Sequence, residues 1–182
     1  MLFDLANLGD LDKPLTAKIL SDPYNKITRH ILYLYSMDSF IYADLNRASR
    51  EKDKTKIKFY GAYAAALSYI IYFANTKRKD EKLKGLHQLY RGLKMNKSQI
   101  DAYKPGSTIH LMGYTSTSLD PQVACNFALK GLTEEKVPVI FEIDFKGQIG
   151  LFEMSQGYSA FPDEGEVLVQ DGLKYLITGN IQ

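Results

Sequence analysis

The chain has 182 residues, a length suited to one compact domain with its own hydrophobic core. At 45% hydrophobic and 24% charged residues, its composition is that of a globular protein and excludes a disordered or fibrous chain. The formal net charge is +2, and no dense Lys/Arg stripe interleaves with aromatics, which argues against a dedicated nucleic-acid binder.

The opening residues Met1-Leu2-Phe3-Asp4 lack a basic segment followed by an apolar one, so no signal peptide is expected. Cys125 is the only cysteine, so no intrachain disulfide is possible. The expectation is an intracellular, monomeric chain, or a domain of a longer one. The first half then reads as helical. Ser36 or Asp38 is placed to cap a helix carrying Phe40, Ile41, Leu45 and Ala48 at three-to-four spacing. Glu51-Lys52-Asp53-Lys54 reads as a turn. A second helix is expected from Thr55 to about Asn75, with Ile57, Tyr60, Ala64, Leu67, Ile71 and Ala74 on one face. The apolar run from Tyr60 to Ala74 is too short for a bilayer and rich in Tyr and Ala, so it predicts a buried helix and no membrane partner. Lys77-Arg78-Lys79, Lys82 and Lys84, interrupted by Asp80 and Glu81, read as a solvated loop.

In the second half the period changes. His87 to Met95 has the alternation of a strand, Gln99 to Tyr103 suits a short helix, and Pro105-Gly106 marks a turn. Thr108 to Thr117 reads as another strand. Asp120-Pro121 opens a helix through Ala128, with proline at its first position. Val137 to Phe145 alternates most clearly, and further strands are expected at Ile149–Met154, Glu166–Gln170 and Tyr175–Thr178. A single α+β domain over 1–182 follows, about 1–85 mainly helical and about 86–182 mainly antiparallel β. No G-x-G-x-x-G turn follows a strand, which argues against a Rossmann site. His30, His87 and His110 have no metal-ligand spacing with Cys125, so no metal is expected.

Three motifs can carry chemistry. Leu89-Tyr90-Arg91-Gly92-Leu93 sets an arginine in an apolar strand, where its planar fork suits a phosphate, although an edge arginine facing water fits the same residues. Tyr114-Thr115-Ser116-Thr117-Ser118-Leu119 places hydroxyls at a strand end, to orient a carboxylate or ligand amide, or simply to cap the helix at Asp120. Phe161-Pro162-Asp163-Glu164-Gly165-Glu166-Val167-Leu168 puts two glutamates two residues apart. In extended chain both would face one way and raise each other's pKa, while a solvated acidic turn is the plain alternative.

Taken in order, Arg91, Ser116-Thr117-Ser118 and Glu164-x-Glu166 resemble the R-S-E triad of the arginine-specific mono-ADP-ribosyltransferases. Tyr90-Arg91-Gly92, Gly113 through Leu119, Ala124 with Phe127-Ala128, and Glu164 through Leu168 extend the similarity, as do Tyr35, Phe40 and Leu45-Asn46. The resemblance implies two sheets flanking an NAD cleft, and an enzyme that transfers ADP-ribose from NAD to a protein arginine and releases nicotinamide. It further implies that Arg91 holds the diphosphate and that Ser116 braces the catalytic Glu166. Gly92, Thr117, Ser118 and Phe127 would line the NAD site. Glu164 would engage the acceptor guanidinium, and the loop Ser155 to Asp163 would meet the acceptor protein. Tyr158 and Phe161 are placed to stack on the acceptor arginine or to pack within that loop. Hydrolysis of NAD by water, and NAD or protein binding without turnover, are the other functions open to such a chain. Gly165 stands where many relatives carry a side chain.

Overall fold

The computed structural model describes residues 26–37, 39–77, 88–145, 150–154 and 157–179. Asp38, the basic cluster from Arg78 to Lys84, His87, Ile149 and Ser155 lie outside the described residues. Helices α1 (Lys26–Ser36), α2 (Phe40–Glu51) and α3 (Lys54–Lys77) come first. The helical periodicity that begins at Phe40 has a counterpart upstream. Thr28, Leu32 and Tyr35 recur at helical spacing and are buried, making α1 a separate helix. The residue preceding α2 is Ser39, in extended backbone, whereas Ser36 ends α1. The expected turn at Glu51–Lys54 forms where Lys52 adopts φ 55°. The Asp53 carboxylate then accepts the backbone N–H groups of Thr55 and Lys56 at 3.0 and 3.1 Å, capping α3.

The remaining elements are β1 (Gln88–Met95), the short α4 (Lys97–Ile100), β2 (Thr108–His110), β3 (Thr115–Ser118) and α5 (Pro121–Leu129). They are followed by β4 (Val137–Asp144), β5 (Leu151–Glu153), a 3-10 turn (Pro162–Glu164), β6 (Glu166–Val169) and β7 (Lys174–Leu176). The helix expected from Gln99 starts earlier, because Asn96 caps it and the Gln99 side chain returns to accept the Asn96 N–H at 2.9 Å. α5 begins as expected, with Asp120 accepting the Gln122 N–H at 2.8 Å and Pro121 in the first turn. Thr108–Thr117, expected as one strand, is two strands in different sheets. Gly113 breaks it at φ 87°, a conformation side-chain-bearing residues avoid, and its N–H is held by the Asp171 carboxylate.

The main sheet has the order β4-β1-β3-β6-β5 with antiparallel pairs throughout, and β2 pairs with β7 in a second, two-stranded sheet. Both faces of the main sheet are covered. Phe152 and Leu168, opposite one another in register, pack beneath the helices with Leu32, Tyr35, Leu45, Leu67, Ile70 and Ile71. Leu89, Ile143, Leu151, Val167 and Val169 form a second core on the reverse face, with Leu173 and Tyr175 against it. The architecture is thus helices followed by mostly antiparallel sheets, as the change of sequence period predicts. No helix among the described residues is long and apolar enough to cross a membrane.

Candidate active site

Three neighbouring strands, β1, β3 and β6, deliver the three motifs. β3 and β6 pair over four positions, with Ser118 opposite Glu166 and Ser116 opposite Leu168. Cross-strand partners share a face, so Ser116, Ser118 and Glu166 all rise from the helix-covered side of the sheet. Ser116 lies diagonal to Glu166 across the β3–β6 ladder, which sets its hydroxyl on the same face as the carboxylate. Glu166 is 8% exposed. Burial pushes its pKa up to about 7 and the nearby Glu164 adds to the rise, while the Ser116 hydroxyl and the Arg91 charge oppose it.

Strand alternation alone would send Arg91 to the opposite face, beside Leu89 and Val167. The ladder between β1 and β3 is, however, a single pair, Tyr90 with Ser118. Beyond it the strands are unpaired, and the half-buried Arg91 spans the opening to donate from Nη1 to the Ser116 carbonyl at 2.7 Å. Its remaining N–H donors are what a bidentate phosphate contact needs. Gly92 has a packing reason for being glycine. A Cβ there would lie 1.9 Å from the Ala124 carbonyl oxygen and 2.8 Å from the Ala128 nitrogen, so only glycine lets α5 lie directly on β1. Phe127, on the same helix, is 47% exposed.

Thr117 and Ser118 are already engaged within the protein. The Thr117 hydroxyl donates to the Val167 carbonyl at 2.7 Å, bracing β3 to β6. Ser118 Oγ donates to the Glu164 carbonyl at 2.6 Å and accepts the Asp120 N–H at 2.9 Å. Leu119 N–H reaches the Gly165 carbonyl at 3.1 Å. Ser118 therefore anchors the turn that carries Glu164. That turn corrects the extended-chain expectation for the two glutamates. Glu164 ends a 3-10 turn and Gly165 adopts φ 52°, so a left-handed bend sets their mutual orientation. Desolvation raises the pKa of the half-buried Glu164, and the Lys130 charge lowers it.

The acceptor-facing pair divides. Phe161 is 46% exposed and available to a partner. Tyr158, open by sequence either to the acceptor or to packing within its loop, is a core residue. It is 7% exposed, its ring packs edge-on against Phe152 at 5.4 Å, and the Arg29 guanidinium carbon lies 5.5 Å from its centroid. Residues outside the three motifs also bear on the site. Lys130 faces Glu164 from the end of α5, the Tyr35 hydroxyl on α1 senses the Glu166 charge, and Tyr175 senses that of Arg91. Lys130 and Tyr175 carry no motif, so only the tertiary arrangement reveals them; the resemblance marks Tyr35 but not its place near Glu166.

Helices laid on an antiparallel sheet, with an arginine, serines and two glutamates on three neighbouring strands, point to the class of ADP-ribosyltransferases. The family model of the ADP-ribosyltransferase exoenzymes matches residues 50–181, and the chain belongs to that family; it is an NAD-dependent mono-ADP-ribosyltransferase. Solved structures share the fold. The ADP-ribosyltransferase Vis in an inhibitor complex superposes with a TM-score of 0.68 at 20% identity, covering 98% of this chain and 77% of that chain. Vis is a toxin from Vibrio splendidus. The eucaryotic mono-ADP-ribosyltransferase ART2.2 gives 0.60 at 20% identity, over 99% of this chain and 76% of that one. HopU1 of Pseudomonas syringae gives 0.63 at 15% identity, over 94% and 78%. Among curated proteins nothing matches.

Proposed function

We propose that this enzyme is of the arginine-specific R-S-E type and transfers ADP-ribose from NAD to a protein arginine, releasing nicotinamide. The observation that carries the reading is the buried Glu166 on β6, diagonal to Ser116 and within reach of the charges of Arg91 and Glu164. Leaving nicotinamide is neutral and departs from a cationic sugar linkage, so positive charge builds on the ribose as in glycoside cleavage. An ionised Glu166 stabilises that charge by roughly 4 kcal/mol if they sit about 4 Å apart at an effective dielectric near 20. Arg91 would grip the diphosphate, and Phe127 would flank the dinucleotide. Glu164, presented by its Ser118-anchored turn, would orient the incoming guanidinium and take its proton late. Phe161 would stack on that guanidinium. A structure of Vis holds agmatine, a guanidinium compound, which supports an acceptor of this chemistry. Structures of Exoenzyme S with carba-NAD and of ART2.2 with NADH support the dinucleotide.

The test is transfer of labelled ADP-ribose to an arginine-rich polypeptide, with nicotinamide release measured in parallel. Wild type labels the acceptor, and Glu166→Gln lowers labelling on the order of 10²–10³-fold. Equal labelling by that variant would remove Glu166 from its role. If agmatine neither becomes labelled nor speeds nicotinamide release, water is the acceptor and the chain is a glycohydrolase.

A further inference from the structure

We infer that α1 is a clamp for the acceptor loop, with Ser36 and Arg29 as positioning residues that set transfer to the acceptor without touching NAD. The inference rests on the reading of Glu164 as the acceptor-side glutamate. In sequence Ser36 looks like a helix cap for α2; in the structure it has another task. Its Oγ donates to the Tyr33 carbonyl at 2.9 Å within α1 and accepts the backbone N–H of Ala160 at 2.7 Å. Ala160 lies 124 residues further on, immediately before Phe161. Two turns of helix below, Arg29 covers the ring of Tyr158, which is wedged against Phe152 of β5. Two side chains of one helix thus hold two points of the same short loop.

What the loop carries gives the clamp its consequence. Phe161 N–H is held by the Ser159 hydroxyl at 2.9 Å, and the Phe161 carbonyl receives the Glu164 N–H at 3.2 Å. The chain from Ala160 to Glu164 is therefore a continuous series of local hydrogen bonds whose upstream end is tied to Ser36. Its downstream end is tied to Ser118 on β3. Release of the upstream tie leaves Glu166 and Ser116 in their ladder on β6 and β3, because that pairing does not pass through the loop. It frees Phe161 and the turn bearing Glu164. The half-buried Ala160 N–H loses its partner, and the loop gains alternatives in which that donor reaches water. A loosened loop presents Phe161 and Glu164 in a wider spread of positions, and the acceptor then has to select the productive one.

The experiment compares Ser36→Ala, Ser36→Thr, Arg29→Gln and Glu164→Gln with wild type. For each, nicotinamide release without acceptor is measured beside ADP-ribose transfer to an arginine-containing polypeptide, with KM for acceptor and for NAD. Ser36→Ala should keep NAD hydrolysis and KM for NAD within about twofold while transfer falls roughly five- to tenfold through a raised acceptor KM. Ser36→Thr keeps the hydroxyl and restores transfer. Exposed Arg29 can be changed without opening the core, so Arg29→Gln gives the same split, two- to threefold, even if Ser36→Ala folds poorly. Equal loss of both activities, or no change in either, in Ser36→Ala and Arg29→Gln overturns the clamp. Glu164→Gln separates the two levels: if it shifts the transfer-to-hydrolysis ratio and the α1 variants do not, only the clamp fails. If Glu164→Gln leaves the ratio where it was, the acceptor reading fails instead.

Discussion

At the residue scale, the site turns on how strongly Glu166 is discouraged from ionising. Burial lifts its pKa to about 7, so near neutrality a large part of the free enzyme carries a protonated carboxyl there. A proton on that group removes the negative charge that the proposed mechanism sets beneath the ribose. The value of kcat/KM for NAD should therefore rise with pH between about 6 and 8, with an inflection near 7 set by the free enzyme. The neighbours fix the sign of each perturbation. The Ser116 hydroxyl and Arg91 favour the charged form, whereas Glu164 opposes it. Ser116→Ala should move the inflection upward and Glu164→Gln should move it downward. A profile unchanged by both substitutions would mean that a different group limits the reaction. The bend between the glutamates has its own requirement. Gly165 sits at φ 52° with its nearest neighbours at 3.8 Å, so a side chain there meets backbone strain but little crowding. Gly165→Ala should cost about 1 kcal/mol, and Gly165→Asn less, by thermal denaturation.

At the element scale, the site depends on α5 lying against β1. Gly92 is the point of contact, and the atoms a Cβ would strike belong to the backbone of α5, which cannot turn aside as a flexible side chain can. Gly92→Ala should push the helix off the strand and cost at least about 2–3 kcal/mol, lowering the melting temperature by roughly 5–10 °C. A melting temperature within 2 °C of wild type would show that α5 shifts freely. The elements also show what the sequence makes legible. Apolar spacing at three to four in one half and at two in the other places α3, β1, β4 and α5 within a few residues of their observed positions. Asp120-Pro121 marks its helix start because a cap and a proline act locally. The break of Thr108–Thr117 into two strands is not local. It depends on Asp171, 58 residues away, holding the Gly113 N–H. Tyr158 is likewise open to two readings from its loop position, and contacts with Phe152 and Arg29 turn it inward. The motif residues Arg91, Ser116, Glu164 and Glu166 were legible because their order along the chain is distinctive. How Arg91 reaches the others was not, since it rests on the single-pair ladder between β1 and β3.

At the scale of the whole molecule, the Glu166 carboxylate, buried on the helix-covered face beside Ser116 and Leu168, works against folding. The native state holds the Glu166 proton up to about pH 7, while the unfolded chain releases it near the ordinary carboxylate range. The folded state thus binds more protons in that interval, and stability must fall as pH rises through it. Below the unfolded pKa the carboxyl is neutral in both states and costs nothing. Above about 7 it is charged in both, and the full penalty is present. The size of the shift corresponds to about 3 kcal/mol, a sizeable share of the stability of a chain this long. Glu166→Gln keeps the shape and removes the charge. The variant should therefore be inactive yet more stable than wild type at pH 8 by up to about 3 kcal/mol, or roughly 5–10 °C in melting temperature. At pH 5 the gain should shrink to about 1 kcal/mol, because the folded wild type is then protonated at this position. Thermal denaturation of both proteins at the two pH values checks this. A gain of equal size at pH 5 and pH 8 would mean that packing, and not ionisation, separates them, and the site would then lack the electrostatic tension on which cleavage of the nicotinamide bond depends.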